Sequence, residues 1–502
     1  MLLYLKVERF FIKKDSATLN LYRLQKTILN VWETFSTFQE TLVDHFSSLD
    51  YFVICLYFCA VIGIGLWSSR NVKTLDDYAT GNRSYTSIFI FATLSSSFIG
   101  GGFTSGLAEK VYRMGIFYVI GLWGFSVKEI LIARYIAPRM AAFRDAISVG
   151  DIMGRLYGEN ARVLTGIASV LVCAGISGAQ FGAFGYMINM LLGIPQVWGI
   201  LLGASIVILY SSLGGMRAVV ANDTLHFTVL IIALPLVFLL GLSQVGGMEA
   251  ILSTPNFDAM GHNIPWIALF GLFLSFFFGE TLVPPYVQRL LIGKDVKSTV
   301  QGTLWSGLLS FPFFLMVGLI GLISHKLSPD INPNMALPYV IQTVMPIGLK
   351  GLAVAGMIAV IMSSADSFLN AAGIAASHDV IKPLKGISEK HQELIISRFT
   401  TLTVGVVGAL FAASTESVLD ILLCAYNFWT PFILVPLVAG IMGYQRSAQT
   451  FWVSSIISIL AVILVNNISS IGVSTFDGTL VGIFVNAFIF FTYNPSKRLA
   501  GI

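Results

Sequence analysis

Apolar residues in this chain run in long unbroken stretches, with little of the alternation expected of half-buried strands. They occupy 51–68, 85–109, 114–137, 159–192, 194–213, 223–245 and 264–291, then 299–323, 349–381, 397–414, 418–442, 449–466 and 477–492. A helix that crosses a bilayer needs roughly 20 consecutive apolar residues, so the pattern predicts an all-α polytopic membrane protein with about 13 transmembrane helices. Several stretches run past about 25 residues, a length that tilt, a break or a protruding end accommodates. Ahead of them the pattern changes. Leu21, Leu24, Ile28, Val31, Phe35, Phe38, Leu42, Phe46 and Leu49 recur every three or four residues. This one-sided spacing predicts an amphipathic helix lying on the membrane surface. A secretory signal peptide is not expected, because no small-residue cleavage site follows a short apolar core.

Composition excludes the soluble alternative. The 502 residues are 56% apolar and 11% charged, against about 45–50% and about 25% in ordinary soluble domains. With 30 Lys+Arg against 26 Asp+Glu, no nucleic-acid footprint is expected, and the partners are the lipid bilayer and a small-molecule solute. The basic residues carry topology instead. If the first helix runs from outside to inside, nineteen Lys and Arg, Arg217 and Arg289 among them, fall in the inner connections and tail. Only Lys110, Arg113, Lys326 and Lys350 fall outside. That asymmetry predicts a plasma (inner) membrane protein with its C-terminus in the cytoplasm. Lys6, Arg9, Lys13, Lys14, Arg23 and Lys26 run against the pattern. Cys55, Cys59, Cys173 and Cys424 all sit in apolar stretches, where thiols pack as small hydrophobes and disulfides or a zinc cluster are not expected.

Two of the stretches are interrupted: by Ser95–Gly102 in the second and by Gly279–Pro285 in the seventh. They hold the same place in two sets of five helices, and five is odd, so the second set is inverted in the membrane. Matched broken helices of this kind mark the midplane binding site of transporters built like the leucine transporter, LeuT. Unwound backbone groups survive there only against protein, a water-filled cavity, an ion or a solute; the alternative is that Gly and Pro kink packed helices without binding anything. The expected organisation is an N-terminal extension (1–49), a peripheral first helix and loop (50–84), a first five-helix repeat (85–245), a second (246–442), and two peripheral helices with a short tail (443–502).

Four stretches resemble the sodium:solute symporter family: Asp77–Arg83, Gly100–Gly106, Tyr210–Ala218 leading to Asn222-Asp223, and Met362–Ser367. They run in family order, and the last two are the specific ones. The resemblance implies a LeuT-like 5+5 inverted-repeat core and uptake of a small organic solute by symport with sodium through alternating access, with sodium as coupling ion and no organic cofactor. It also implies one sodium held by main-chain carbonyls placed here at Ile90 and Thr93, the carbonyl of Val360, and the hydroxyls of Ser363 and Ser364. The chemistry agrees independently. Val360, Ser363, Ser364 and Ser367 share one helix face, and their oxygens suit a hard cation. The alternative for the two serines is a hydroxyl bonded back to its own helix. Members with a second sodium use positions matching Asp223, Ser363, Asp366 and Ser367, and a second sodium site at these four residues is the expectation the resemblance gives here. A carboxylate in the bilayer costs about 2.5–3.5 kcal/mol and so serves a pathway or a partner, although Asp223 also reads as a helix N-cap.

Within the family the first break is closest to the choline-transporter branch, whose aromatic cage binds a quaternary ammonium. Phe98 keeps that cage aromatic, but Ile176 and Val283 stand where tryptophans would be, which argues against choline itself. Glu280 is the candidate partner of a solute amine, giving an amine-containing or zwitterionic solute; the alternative is a salt bridge to Lys128. Ser96, Ser97 and Gln180 are the expected hydrogen-bonding lining. Glu109 and Arg113 are read as an exposed ion pair. The six histidines have no metal spacing, so no enzyme is expected. Proton coupling and a solute receptor without transport remain the rival readings.

Overall fold

The computed structural model describes residues 46–253, 265–386, 389–414, 418–470 and 478–493. Most of the expected amphipathic segment, Leu21 to Leu42, lies outside the described residues. The elements used below are α1 (Ser48–Ser69), α2 (Leu75–Thr80), α3 (Ser87–Phe98), α4 (Ser105–Met114), α5 (Tyr118–Leu131), α6 (Val149–Tyr157), α7 (Glu159–Leu192) and α8 (Gln196–Gln244). The remainder are α9 (Trp266–Phe278), α10 (Pro284–Leu291), α11 (Val296–Leu327), α12 (Ala336–Val344), α13 (Leu349–Ile374), α14 (Lys390–Ser414), α15 (Val418–Ile441), α16 (Ala448–Ser470) and α17 (Gly478–Thr492).

Among the described residues, seven helices are long and apolar enough to cross a membrane, and the pair Ser87–Phe98 and Gly101–Met114, bent by 79°, makes an eighth. The second break is equally plain. α9 ends at Phe278, Leu282 takes φ 53°, and α10 restarts on Pro284-Pro285. Proline suits the first turn of a helix, whereas a left-handed leucine carries about 1–2 kcal/mol of strain, the sort of cost retained at binding sites.

One expectation is corrected. The stretches 194–213 and 223–245 are not separated by a loop: the two helices that make up α8 abut directly at a kink. Gly215 alone absorbs the change of direction, at φ 52° and ψ −143°. A Cβ there would run into the main-chain carbonyl and ring of Tyr78, so only glycine fits. Arg217, counted above as a loop charge, instead reaches from α8 to Asp77 at 2.9 Å. Asp77 also closes a capping box with Thr74 and accepts a hydrogen bond from Asn82 at 2.6 Å. Burial pushes its carboxyl up, but the Thr74 hydroxyl, the N–H groups of Lys73 and Thr74 and the Arg217 charge outweigh this, leaving it below the ordinary carboxylate value. Two of the family-like stretches are thus bonded to each other.

The core is built around α13, whose residues are almost all buried. It packs against α7, α8, α3 and α10, which brings both breaks and the Asp223 arm of α8 to one place.

Candidate functional site

The first break and α13 face each other. Ser96 donates to Ser363 at 2.7 Å, and the Ser364 hydroxyl bonds the carbonyl of Ser97 at 2.8 Å and that of Val360 at 3.2 Å. Because α3 stops at Phe98, carbonyls of its last turn lack helical partners and are open to such contacts. A Cβ built on Gly100 would stand 2.9 Å from Ser364 Oγ, so the missing side chain lets the break approach the serine. Ile90 and Thr93 lie further back in α3. The Ile90 side chain packs toward Gly302 of α11, and the Thr93 hydroxyl donates to Asp223.

Asp223 sits inside α8, well past Gly215, and is fully buried. It is therefore no helix N-cap. Its carboxylate accepts from Thr93, from Ser363, from Ser97 at 3.2 Å and from Arg289 at 3.3 Å. Asp366, also fully buried, accepts from Tyr210 Oη at 2.6 Å and from Ser367 at 3.1 Å. The oxygens of Ser363, Ser364, the Ser97 and Val360 carbonyls and the adjacent carboxylate form the hard, partly anionic donor set that suits sodium.

The residue that sequence reasoning misplaced is Arg289. Treated above as a topology charge, it is fully buried in α10. Its guanidinium donates to Thr93 at 3.3 Å, to Ser97 at 3.2 Å, to Asp223, to Ser367, and to its own helix at the Pro285 carbonyl at 3.3 Å. The signal was present: an arginine four residues after Pro285, inside an apolar stretch, needs an internal partner.

The expected solute contacts divide among different surroundings. Ser96 and Ser97 belong to the hydroxyl and carboxylate cluster of Ser363, Ser364 and Asp223. Phe98 packs edge-on against Tyr286 with ring centroids 5.0 Å apart, and Ile176 and Val283 are buried. Gln180 brings its Nε2 toward Gly100, and its buried Oε1 has no hydrogen-bond partner among the described residues. Glu280 adjoins a second polar cluster on α5. There Lys128 lies 3.3 Å from Glu129, 3.7 Å from the Phe125 ring centroid and within electrostatic reach of Glu280, while Tyr286 donates to Glu129 at 2.7 Å. A cleft of about 120 Å³ passes from Glu109 and Tyr186 to Gly101 and Ile361. At its rim Glu109 forms the expected pair with Arg113, at 2.7 Å.

A third cluster was not visible as spacing. His378 bonds Glu393 and, at 3.0 Å, Asp151, while Arg162 stands 3.1 Å from Asp151 and 3.5 Å from Asp379. Asp151, His378 and Asp379 are close enough to share a metal ion, but His378 itself, Arg162, and Lys382 at 3.0 Å from Glu393, are the cationic partners of its carboxylates. Burial raises the Asp151 carboxyl, and the His378 hydrogen bond and charge, with Arg162, reverse that to a net lowering.

The family model for the sodium:solute symporter family matches residues 78–458. A sodium/glucose cotransporter 4 of Danio rerio is 24% identical over 459 residues, covering 80% of this chain and 69% of its own. A Vibrio parahaemolyticus sodium/glucose cotransporter is 22% identical, with 74% and 76% covered. A Mus musculus sodium/myo-inositol cotransporter is 26% identical, with 70% and 56% covered. The fold is similar to that of a sodium-coupled sialic acid symporter solved in a substrate-bound outward-open state, with TM-score 0.78, 20% identity, and 88% of this chain and 97% of that one covered. It is also similar to that of MHP1, a nucleobase-cation-symport-1 transporter, with TM-score 0.57, 14% identity, and 84% and 94% covered.

Proposed function

The chain belongs to the sodium:solute symporter family, a transporter family and not an enzyme family, and from that premise we propose how it couples sodium to a small organic solute. The carrying observation is the meeting of Ser363 and Ser364 of α13 with Ser96 and Ser97 at the first break, beside the Asp223 carboxylate. Sodium enters there, ligated by the two serine hydroxyls, the Val360 carbonyl and main-chain carbonyls of α3, among which Ile90, Thr93 and Ser97 are the candidates. The cleft from Glu109 to Gly101 is the entrance, on the face with few basic residues. The bundle then rocks to open toward the basic, cytoplasmic face, where the C-terminus lies in our reading.

Because sodium joins residues of the break to residues of α13, it stabilises the arrangement in which both are together, the differential affinity that coupling requires. One sodium falling through roughly 100 mV releases about 2.3 kcal/mol, and a tenfold gradient adds about 1.4 kcal/mol. Together these concentrate a neutral solute several hundredfold, to order of magnitude.

For the solute, Glu280 supports an amine-containing or zwitterionic molecule lying between the breaks against Phe98 and Val283. A second reading, a neutral polyol, is favoured by the buried Gln180 Oε1, which has no hydrogen-bond partner among the described residues, and by the sugars and inositol in the relatives' names. Sodium-driven uptake into proteoliposomes decides between them. Accumulation of amino compounds that Glu280→Gln abolishes carries the first, and accumulation of polyols that Gln180→Ala abolishes carries the second. Uptake driven by a pH step in sodium-free buffer would replace sodium with the proton.

A further inference from the structure

We infer that the guanidinium of Arg289 occupies, as a tethered cation, the place where a second sodium would be held, so that a single sodium carries the coupling. The inference rests on the sodium reading above and concerns only how many ions the site holds. Asp223, Ser363, Asp366 and Ser367, the four residues a second sodium would need, do converge and are all fully buried. The space among them is taken, however. One terminal nitrogen of Arg289 donates to Asp223, to Ser367 and to Ser97, and Nε donates to Thr93. Ser367 in turn bonds Asp366 at 3.1 Å and Ser97 at 2.9 Å. The arginine therefore touches two of the four residues directly and a third through Ser367.

Charge argues in the same direction. A guanidinium delivers its single positive charge to several oxygens through five N–H donors in a fixed fork, and it stays protonated inside a protein. A sodium brought to the same oxygens would stand beside that charge in a fully buried place, where repulsion is stronger than in water. Position matters as well. Arg289 lies on α10, the second half of the other broken helix, with its side chain bonded back to Pro285 at the break. The fork thus spans from the second break to the first break and α13, a bridge between the repeats that a diffusible ion would otherwise make.

The test counts ions without needing a solute. Binding of radiolabelled sodium to the purified full chain, at constant ionic strength with potassium as balance, is expected to saturate at one sodium per chain with a Hill slope of one. Arg289→Gln is expected to raise the count to two, with a slope above one, and Arg289→Lys to keep it at one. Two sodiums per wild-type chain would overturn the inference whatever the variants do, and so would a folded Arg289→Gln that still binds one. No saturable sodium binding to the wild-type chain would overturn the transport reading as well, which separates the two failures.

Discussion

The hydroxyl of Ser364 bonds the main-chain carbonyl of Ser97 at 2.8 Å, joining α13 to the final turn of α3. Ser363, one residue earlier, joins Ser96 to Asp223. Both hydroxyls are already aimed at the oxygens that would share a sodium. Ser363→Ala and Ser364→Ala are each expected to weaken sodium binding about tenfold or more, equivalent to about 1.4 kcal/mol. Thermal unfolding of purified protein in sodium and in potassium measures this, since a ligand of the folded state raises its stability by mass action. A sodium-specific stabilisation that survives both substitutions would remove the site from these serines.

Gly100→Ala asks the same question without touching a ligand. The new Cβ would lie 2.9 Å from Ser364 Oγ, so the serine must move and its geometry toward the break degrades. The expected result is weakened sodium binding with an unfolding temperature in potassium close to that of the wild type. An equal fall in both salts would show that Gly100 serves packing alone.

How much of this was legible depends on what each feature writes into the chain. The two breaks were, because Ser95–Gly102 and Gly279–Pro285 combine residues that helices avoid with matched positions in a repeat. The serines of α13 were, because helical spacing places Val360, Ser363, Ser364 and Ser367 on one face. Asp223 looked like a cap because the change of direction at Gly215 resembles a loop when read as hydropathy. One glycine at positive φ kinks the chain between two helices that abut with no loop, and hydropathy does not register φ. Arg289 was miscounted because α10 holds only eight residues before the chain leaves the apolar stretch, so its charge reads as a loop charge. Its partners come from α3, α8 and α13, and their convergence is a property of the fold. The His378 cluster was hidden for the same reason: Asp151 is 227 residues away, and even Glu393, 15 residues on, meets it only through packing.

Gly215 gives the sharpest structural prediction. Alanine there would be held at φ 52° with its Cβ driven into Tyr78. The backbone alone costs about 1–3 kcal/mol, before any collision. Gly215→Ala is therefore expected to lower the unfolding temperature and the yield of folded protein. Gly63→Ala in α1 is the control, since a Cβ at Gly63 meets nothing within 4 Å and alanine favours the helix by roughly 1 kcal/mol. Equal behaviour of the two variants would mean that the direction change in α8 does not depend on glycine.

Asp77 ties the same region together electrostatically, and its pH dependence has a definite sign. The folded state holds its carboxyl below the ordinary value, which is about 3.9 in an unfolded chain. The ionised form is thus favoured by folding, and its contribution is fully present above about pH 5 and drains away as pH falls through 4 toward the lowered folded value. Asp77→Asn removes the carboxylate that accepts from Thr74, Asn82 and Arg217. With hydrogen bonds to charged groups worth about 1.5–3 kcal/mol net, the variant is expected to be less stable than the wild type by an amount of that order at pH 7. The gap should narrow steadily between pH 5 and about pH 3, because the wild type loses what the variant already lacks. Thermal unfolding of both proteins across that range measures it. A gap that stays constant with pH would assign the loss to packing and leave the Arg217 pair without a stabilising role.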